Sequence, residues 1–178
     1  MLDHVVPKRR IRGDSVRIGR DTGAEEFPAH AGAFRKFGQI DNFVFLLDGD
    51  QRDSGIDDRI HARAGREVPA LFLPGRDAPE VWVWERLQQA TEYVAAGLSV
   101  DPGELANQLH RLDAVYDTAS DRPAEIAKSK LRGLGEVLHR DAADICRVVA
   151  RLEAERPESD LQPFAEGLET ALLQWRAG

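Results

Sequence analysis

NFVFLLDGD, at residues 42–50, carries the clearest structural signal in the chain. Five consecutive apolar residues, 43–47, run directly into an acidic turn. A strand that helices cover on both faces of a parallel sheet has this pattern, whereas a half-exposed strand alternates apolar and polar residues. We therefore predict a buried β-strand that ends at Asp48.

The segments around this strand alternate between predicted strands and helices. Residues 15–19 (SVRIG) alternate as a short strand does, and apolar residues at three- and four-residue steps from Phe27 to Phe37 predict a helix. Charge and alanine favour an exposed helix at 53–65, and a second apolar run, VPALFL, predicts another strand. Pro79 suits the first turn of the next helix. This order is typical of an α/β fold.

The chain changes character after about residue 97, where the last apolar run that could form a strand has passed. Amphipathic segments predict four further helices, at residues 101–118, 123–138, 141–155 and 158–176. The predicted fold class is therefore α/β, with a small parallel-sheet domain at residues 1–97 and a helical C-terminal extension at residues 98–178.

Composition and charge exclude several classes of protein. The 178 residues are 42% hydrophobic with a single cysteine, which excludes a disulfide framework. No apolar run approaches the roughly 18 residues of a membrane helix, which predicts a cytoplasmic protein without a membrane partner. The net charge of −7 argues against a protein that simply coats DNA. It remains compatible with a metal-dependent enzyme, because a bound cation reverses the charge of a carboxylate site.

Two carboxylates, Asp48 and Asp50, follow the buried strand. Ligands of open α/β sheets bind just beyond the carboxyl ends of the strands. Residues two apart on an extended segment share one side, and Gly49 between them lets the turn tighten, so both carboxylates can bind one hard cation such as Mg²⁺. The alternative is that the pair caps a turn or the following helix.

Glu80 is the third candidate ligand, just past the next predicted strand in LPGRDAPEVWVWERL. Neighbouring parallel strands end at the same edge of a sheet, so we expect Glu80 to face Asp48 and Asp50 across a cleft. The alternative is that Glu80 stabilises a helix N-terminus, an effect of roughly 0.3–1 kcal/mol.

FVFLLDGD followed by LFLPGRDAPEVWVWERL resembles the TOPRIM domain of the OLD (overcoming lysogenization defect) family of ATP-dependent endonucleases. The resemblance covers roughly residues 14–150 and implies a small Rossmann-like sheet. In that family an apolar strand ends in Asp-x-Asp, here Asp48 and Asp50, and the next strand leads to a glutamate near a helix start, here Glu80. The resemblance implies a DNA endonuclease of a prokaryotic defence system that uses Mg²⁺ or Mn²⁺.

The family also uses a lysine on a downstream helix to stabilise charge on the phosphate. IAKSKLRGLGEVLHRDAADICRVV supplies two candidates for this catalytic role, Lys128 and Lys130, and the sequence does not choose between them. The alternative for both is a solvated helix face.

Two motifs expected from the resemblance are missing. TOPRIM domains begin with a strand that ends in a glutamate within a motif like V-E-G, and nothing before SVRIG fits it. No G-x-x-x-x-G-K-[ST] motif occurs, so we expect no ATP hydrolysis by this chain. Either the chain is the carboxyl-terminal piece of a larger product that includes an ATPase domain or subunit, or it is a trimmed relative that has lost activity.

Other chemistries have weaker support. Asp48-x-Asp50 after an apolar strand also resembles the motif Asp-x-Asp-x-Thr/Val of haloacid dehalogenase phosphatases. This chain departs from that motif, because Arg52 stands where the motif has Thr or Val. No G-x-S-x-G occurs, the histidines lack metal-ligand spacing, and Cys146 reads as a buried small residue. Four basic residues near the start are weak candidates for nucleic-acid contact, with a solvated edge as the alternative: Lys8, Arg9, Arg10 and Arg12.

Two functions from different classes are therefore predicted. In a DNA endonuclease, Asp48 and Asp50 hold Mg²⁺ or Mn²⁺, Glu80 holds a second ion, and Lys128 or Lys130 neutralises transition-state charge. The alternative is a non-catalytic interaction or DNA-docking module of a defence complex, whose leucine stripes pair with a partner or a second copy of the chain.

Overall fold

The structure is a computed structural model that describes residues 23–116 and 122–174. Most of these residues are helical, and two short strands form a parallel sheet. The predicted strand at residues 15–19 and the basic cluster at residues 8–12 lie outside the described residues.

The helices and strands follow the predicted order, with a break at Ala90 that separates α3 from α4. In chain order they are α1 (Phe27–Lys36), β1 (Phe45–Leu47), α2 (Ile56–Ala64), β2 (Ala70–Phe72), α3 (Pro79–Gln89), α4 (Thr91–Leu98), α5 (Pro102–Tyr116), α6 (Pro123–Leu138), α7 (Ala142–Glu155) and α8 (Leu161–Gln174). The α/β order up to α3 and the four helices predicted after residue 97 are thus present in the described residues.

The two strands pair in parallel, as predicted, with Phe45 opposite Ala70 and Leu47 opposite Phe72. Each strand is three residues long, so β1 uses only the end of the apolar run that predicted it. Phe45 and Leu47 are buried, whereas Leu46 between them is partly exposed. The strand is therefore fully covered on one face and only partly on the other, where the sequence predicted burial on both.

The described residues form two compact units, each held together by contacts among its own residues. The sheet unit comprises residues 23–76 and 160–174, and the helical unit comprises Asp77–Ser159. The predicted boundary at residue 97 falls inside the helical unit, and the division into a domain at 1–97 and an extension at 98–178 stays a prediction.

The core of the sheet unit lies between β1 and the helices α1 and α2. In α2, Ile56, Ile60 and Ala64 are buried at four-residue spacing, which places them on one face of the helix. Gly65 ends α2 with a φ of 75°, a left-handed conformation that glycine adopts without a steric cost. Phe37, which the apolar repeat of α1 includes, is exposed because α1 ends at Lys36 and the chain then turns away.

Leucine stripes form much of the core of the helical unit. Leu105, Leu109 and Leu112 of α5 are buried, and so are Leu131 and Leu134 of α6. The apolar spacing of the α5 leucines continues to Val115 in the sequence, but the Val115 side chain is 66% exposed. Within the described part of the chain, none of the helices combines the length and the apolar character that crossing a membrane requires.

Candidate functional site

Asp48 and Asp50 lie where the sequence placed them, at the carboxyl end of β1. Asp48 is extended (ψ 153°) and begins a 3-10 turn over Gly49–Gln51 in which Gly49 is buried. Both carboxylates are exposed, and Asp50 Oδ1 accepts a hydrogen bond from Gln51 Nε2 at 3.2 Å. The Asp48 side chain makes no capping hydrogen bond to the turn, so the predicted capping alternative is not seen there.

Arg52 ties this turn to the end of the neighbouring strand. Its guanidinium donates to the backbone oxygens of Leu73 at 3.0 Å and of Gly75 at 3.1 Å, and it lies 5.2 Å from the centre of the Phe72 ring. A planar guanidinium with five N–H donors suits several carbonyls at one strand end. Arg52 therefore holds the loop that carries Asp48 and Asp50 against the loop that follows β2.

Glu80 lies in the helical unit, in the first turn of α3. Its Oε1 is 3.6 Å from Lys128 Nζ on α6, so the structure brings these two predicted site residues together. The Lys128 side chain is 56% exposed, and an ion pair this accessible adds at most about 1 kcal/mol to stability. The approach of Glu80 to Asp48 and Asp50 stays a prediction.

Lys130 occupies a different environment from Lys128. Its side chain is 14% exposed, and its Nζ donates to Asp113 Oδ1 at 2.7 Å and lies 5.5 Å from the centre of the Trp84 ring. Asp113 also accepts hydrogen bonds from Trp84 Nε1 at 2.9 Å and from Gln88 Nε2 at 2.6 Å. Lys130 is thus part of a polar network that joins α3, α5 and α6, and we name this set of four residues the Asp113 network.

Both lysine contacts use the same side of α3. Glu80, Trp84 and Gln88 are spaced four residues apart, which aligns them along one face of a helix. Lys128 meets the first of them and Asp113 meets the other two. The sequence identified Glu80 and both lysines but not Asp113, whose role depends on α5 packing beside α3 and α6.

Cys146, on α7, is partly buried. Burial raises the pKa of its thiol to about 11, and the negative charge of Glu80 contributes to the same shift. The thiol is therefore protonated at neutral pH, whereas a nucleophilic cysteine needs a lowered pKa. This agrees with the structural role that the sequence predicts for Cys146.

Among the residues that the structure describes, no three His, Cys, Asp or Glu side chains are grouped so that they could hold one metal ion. Asp48 and Asp50 still supply the oxygen donors that Mg²⁺ binds, because this ion is commonly held by one or two carboxylates together with water and substrate phosphates.

No protein-family model, curated protein or solved structure matches this chain. A function has therefore to be inferred from the chemistry of these side chains.

Proposed function

We propose that this chain is a metal-dependent DNA endonuclease with a TOPRIM-like sheet, as in the OLD family of prokaryotic defence proteins. The observation that supports it most directly is the pair of exposed carboxylates, Asp48 and Asp50, at the carboxyl end of β1. β2 runs parallel to β1 and ends beside it. Ligands of parallel α/β sheets bind at this edge.

In this proposal Asp48 and Asp50 hold Mg²⁺ or Mn²⁺, and Glu80 holds a second ion. Bound divalent cations polarise phosphoryl oxygens and lower the pKa of a bound water, which is the chemistry that phosphodiester hydrolysis needs. Arg52 acts through the backbone: its hydrogen bonds to the loop after β2 restrain the turn on which both carboxylates sit. Restraint of this kind reduces the cost of bringing two like charges to one cation.

Lys128 suits the role of neutralising phosphate charge better than Lys130 does. The ammonium of Lys130 is already compensated by Asp113 at 2.7 Å and is mostly withdrawn from solvent. Lys128 is exposed and lies near a carboxylate at 3.6 Å, a distance that leaves its ammonium able to bind a phosphate oxygen as well. We therefore assign Lys128 to catalysis and Lys130 to the structure of the helical unit.

The test is plasmid nicking with Mg²⁺ or Mn²⁺, together with calorimetric titration of each metal. We expect Asp48→Ala/Asp50→Ala to lose metal binding and to reduce nicking at least about a hundredfold, since about 2.7 kcal/mol of transition-state stabilisation corresponds to that factor. Asp53→Ala is the matched control, because Asp53 is an exposed carboxylate three residues further along the same loop. Nicking that survives in the double variant would refute the assignment.

A second candidate is a non-catalytic interaction or DNA-docking module. The Asp113 network favours it, because Lys130, one of the two candidates for the catalytic lysine, is used to join helices. Exposed Val115 on α5 adds an apolar contact point for a partner. A protein that sediments as a monomer and does not bind DNA at low salt would contradict this second function.

A further inference from the structure

The carboxyl-terminal ends of α1 and α2 lie side by side in the sheet unit. Near the helix starts, Arg59 Nη1 is 2.7 Å from Glu25 Oε2. Near the helix ends, the guanidinium of Arg35 lies over Gly65, so closely that a Cβ placed on Gly65 would be 2.5 Å from the Arg35 Cζ. The two helices therefore run parallel and end at the same edge of the unit.

This edge is the one opposite Asp48 and Asp50. α2 runs back from the carboxyl end of β1 towards the amino end of β2, as the connection between parallel strands requires. At its end, His61 Nε2 lies 3.0 Å from the backbone oxygen of Val68, just before β2 begins. The nine residues of α2 span about 13 Å, which is the approximate separation of the two edges.

The basic end, as we name this edge, carries several exposed cations and one exposed aromatic ring. Its residues, all exposed, are Arg35, Lys36, Phe37, Arg63 and Arg66. The neighbouring acids Asp41, which pairs with Arg66, and Glu67 leave two more positive than negative charges here. This local excess stands out in a chain whose net charge is −7.

Phe37 distinguishes this edge from an ordinary helix end. Cations in the last turn of a helix stabilise its dipole, which accounts for Arg35 and Lys36 without any ligand. The dipole does not account for a phenyl ring that is 72% exposed, since such a ring gains no hydrophobic stabilisation in water. An aromatic ring beside cations is the combination that binds single-stranded nucleic acids, whose bases stack on the ring and whose phosphates contact the cations.

We infer that the basic end binds single-stranded nucleic acid, with a base stacked on Phe37 and phosphates held by Arg35, Lys36 and Arg63. The inference rests on the proposed function, because the strand bound here is the DNA that the carboxylate site cuts. About 13 Å separates the two edges, and the bound strand has to extend over that distance. A strand bound across the sheet unit thus reaches from Phe37 to Asp48 and Asp50.

Binding is measured by fluorescence anisotropy with a labelled oligothymidylate of about twenty nucleotides, in EDTA and over a series of salt concentrations. We expect Phe37→Ala to weaken binding about tenfold with little change in salt dependence, since stacking involves no counterion release. Arg35→Ala/Arg63→Ala should lower the slope of log K against log salt by about 1.4, or 0.7 for each phosphate that the double variant no longer neutralises.

Two matched controls come from exposed residues of the helical unit. Tyr93→Ala removes an aromatic ring that is 42% exposed, and Arg111→Ala removes an exposed cation, and neither should change binding. Circular dichroism of each variant verifies that the fold is retained. The inference is overturned if the wild type does not bind the oligonucleotide at low salt, if both basic-end variants bind as the wild type does, or if duplex DNA binds equally well and Phe37→Ala has no effect.

The same assays distinguish a failure of this inference from a failure of the endonuclease proposal. Asp48→Ala/Asp50→Ala should bind the oligonucleotide at least as tightly as the wild type does, because in EDTA these carboxylates hold no metal and repel the phosphates that reach them. If basic-end variants lose binding while nicking is absent from the wild type, the endonuclease proposal fails and the nucleic-acid surface stands as a docking site. If nicking depends on Asp48 and Asp50 while the basic-end variants bind normally, the inference fails and the endonuclease proposal stands.

Discussion

Asp113 joins three helices of the helical unit, and its replacement tests how much the Asp113 network stabilises the fold. Asp113→Ala removes the acceptor of Lys130 at 2.7 Å, of Trp84 at 2.9 Å and of Gln88 at 2.6 Å. It also leaves the Lys130 ammonium, on a side chain that is 14% exposed, without the carboxylate that compensates it. We expect this substitution to lower the free energy of unfolding by about 2–3 kcal/mol.

The magnitude follows from the burial of the two partners. Removing one member of a fully buried ion pair costs about 3–5 kcal/mol. The cost here is smaller because 29% of the Asp113 side chain is exposed, so water reaches part of the site. Lys130→Met should cost only about 1 kcal/mol, because Asp113 keeps its bonds from Trp84 and Gln88 and the methionine keeps a contact with the Trp84 ring.

The assay is urea unfolding followed by circular dichroism and tryptophan fluorescence, with stability taken from midpoint shifts at constant m. Combining Asp113→Ala with Lys130→Met should cost at least about 1 kcal/mol less than the sum of the single changes, because the double variant leaves no unpaired ammonium. Lys128→Ala is the control and should change stability by no more than about 1 kcal/mol, the limit for its exposed ion pair with Glu80. Strict additivity, or a cost below about 1 kcal/mol for Asp113→Ala, would refute the reasoning.

Three further predictions concern single positions. Lys128→Ala should reduce plasmid nicking about a hundredfold with little loss of stability, whereas Lys130→Met should retain most of its nicking activity per amount of folded protein. A larger loss of nicking in Lys130→Met than in Lys128→Ala would assign catalysis to Lys130. Gly65→Ala should lower the free energy of unfolding by about 1–2 kcal/mol, because alanine is strained at a φ of 75° and its Cβ would displace the Arg35 guanidinium. An unchanged free energy of unfolding in urea would contradict this prediction. Burial raises the pKa of Cys146 to about 11, so little of its thiol is ionised at pH 8 in the folded protein. Iodoacetamide should therefore react with the folded protein at pH 8 at least about tenfold more slowly than with urea-unfolded protein. Equal rates would show that the thiol is not protected.

The strands and helices were predictable because their signals are local. The apolar run at 43–47 marked β1, Pro79 marked the start of α3, and the leucine spacing marked α5 and α6. The limits of these patterns were less predictable. Val115 and Phe37 continue an apolar repeat in the sequence but are exposed in the structure. Phe37 lies just beyond the end of α1, and Val115 lies in the last turn of α5.

The candidate site was predictable in part, for a reason that concerns chain connectivity. Asp48 and Asp50 are fixed by the strand they follow, so reading β1 was enough to place them at the carboxyl edge of the sheet. Arg52 stood out in the sequence only as a departure from a phosphatase pattern, since its partners are backbone oxygens 21 and 23 residues away. Backbone acceptors leave no mark in a sequence.

Residue types and their periodicity along this chain determined the order of its helices and strands, the parallel pairing of β1 with β2, and the position of two carboxylates at the end of β1. The different environments of Lys128 and Lys130, two residues apart on α6, came only from packing: α5 brings Asp113 to Lys130, while Lys128 meets Glu80 and remains exposed. The local periodicity of the sequence predicts which face of a helix is apolar. It does not predict which residue a charged side chain contacts, because that residue lies on another helix that is distant in the chain. The basic end was not predictable from the sequence for the same reason, because Arg35 and Arg63 become neighbours only when α1 and α2 pack in parallel.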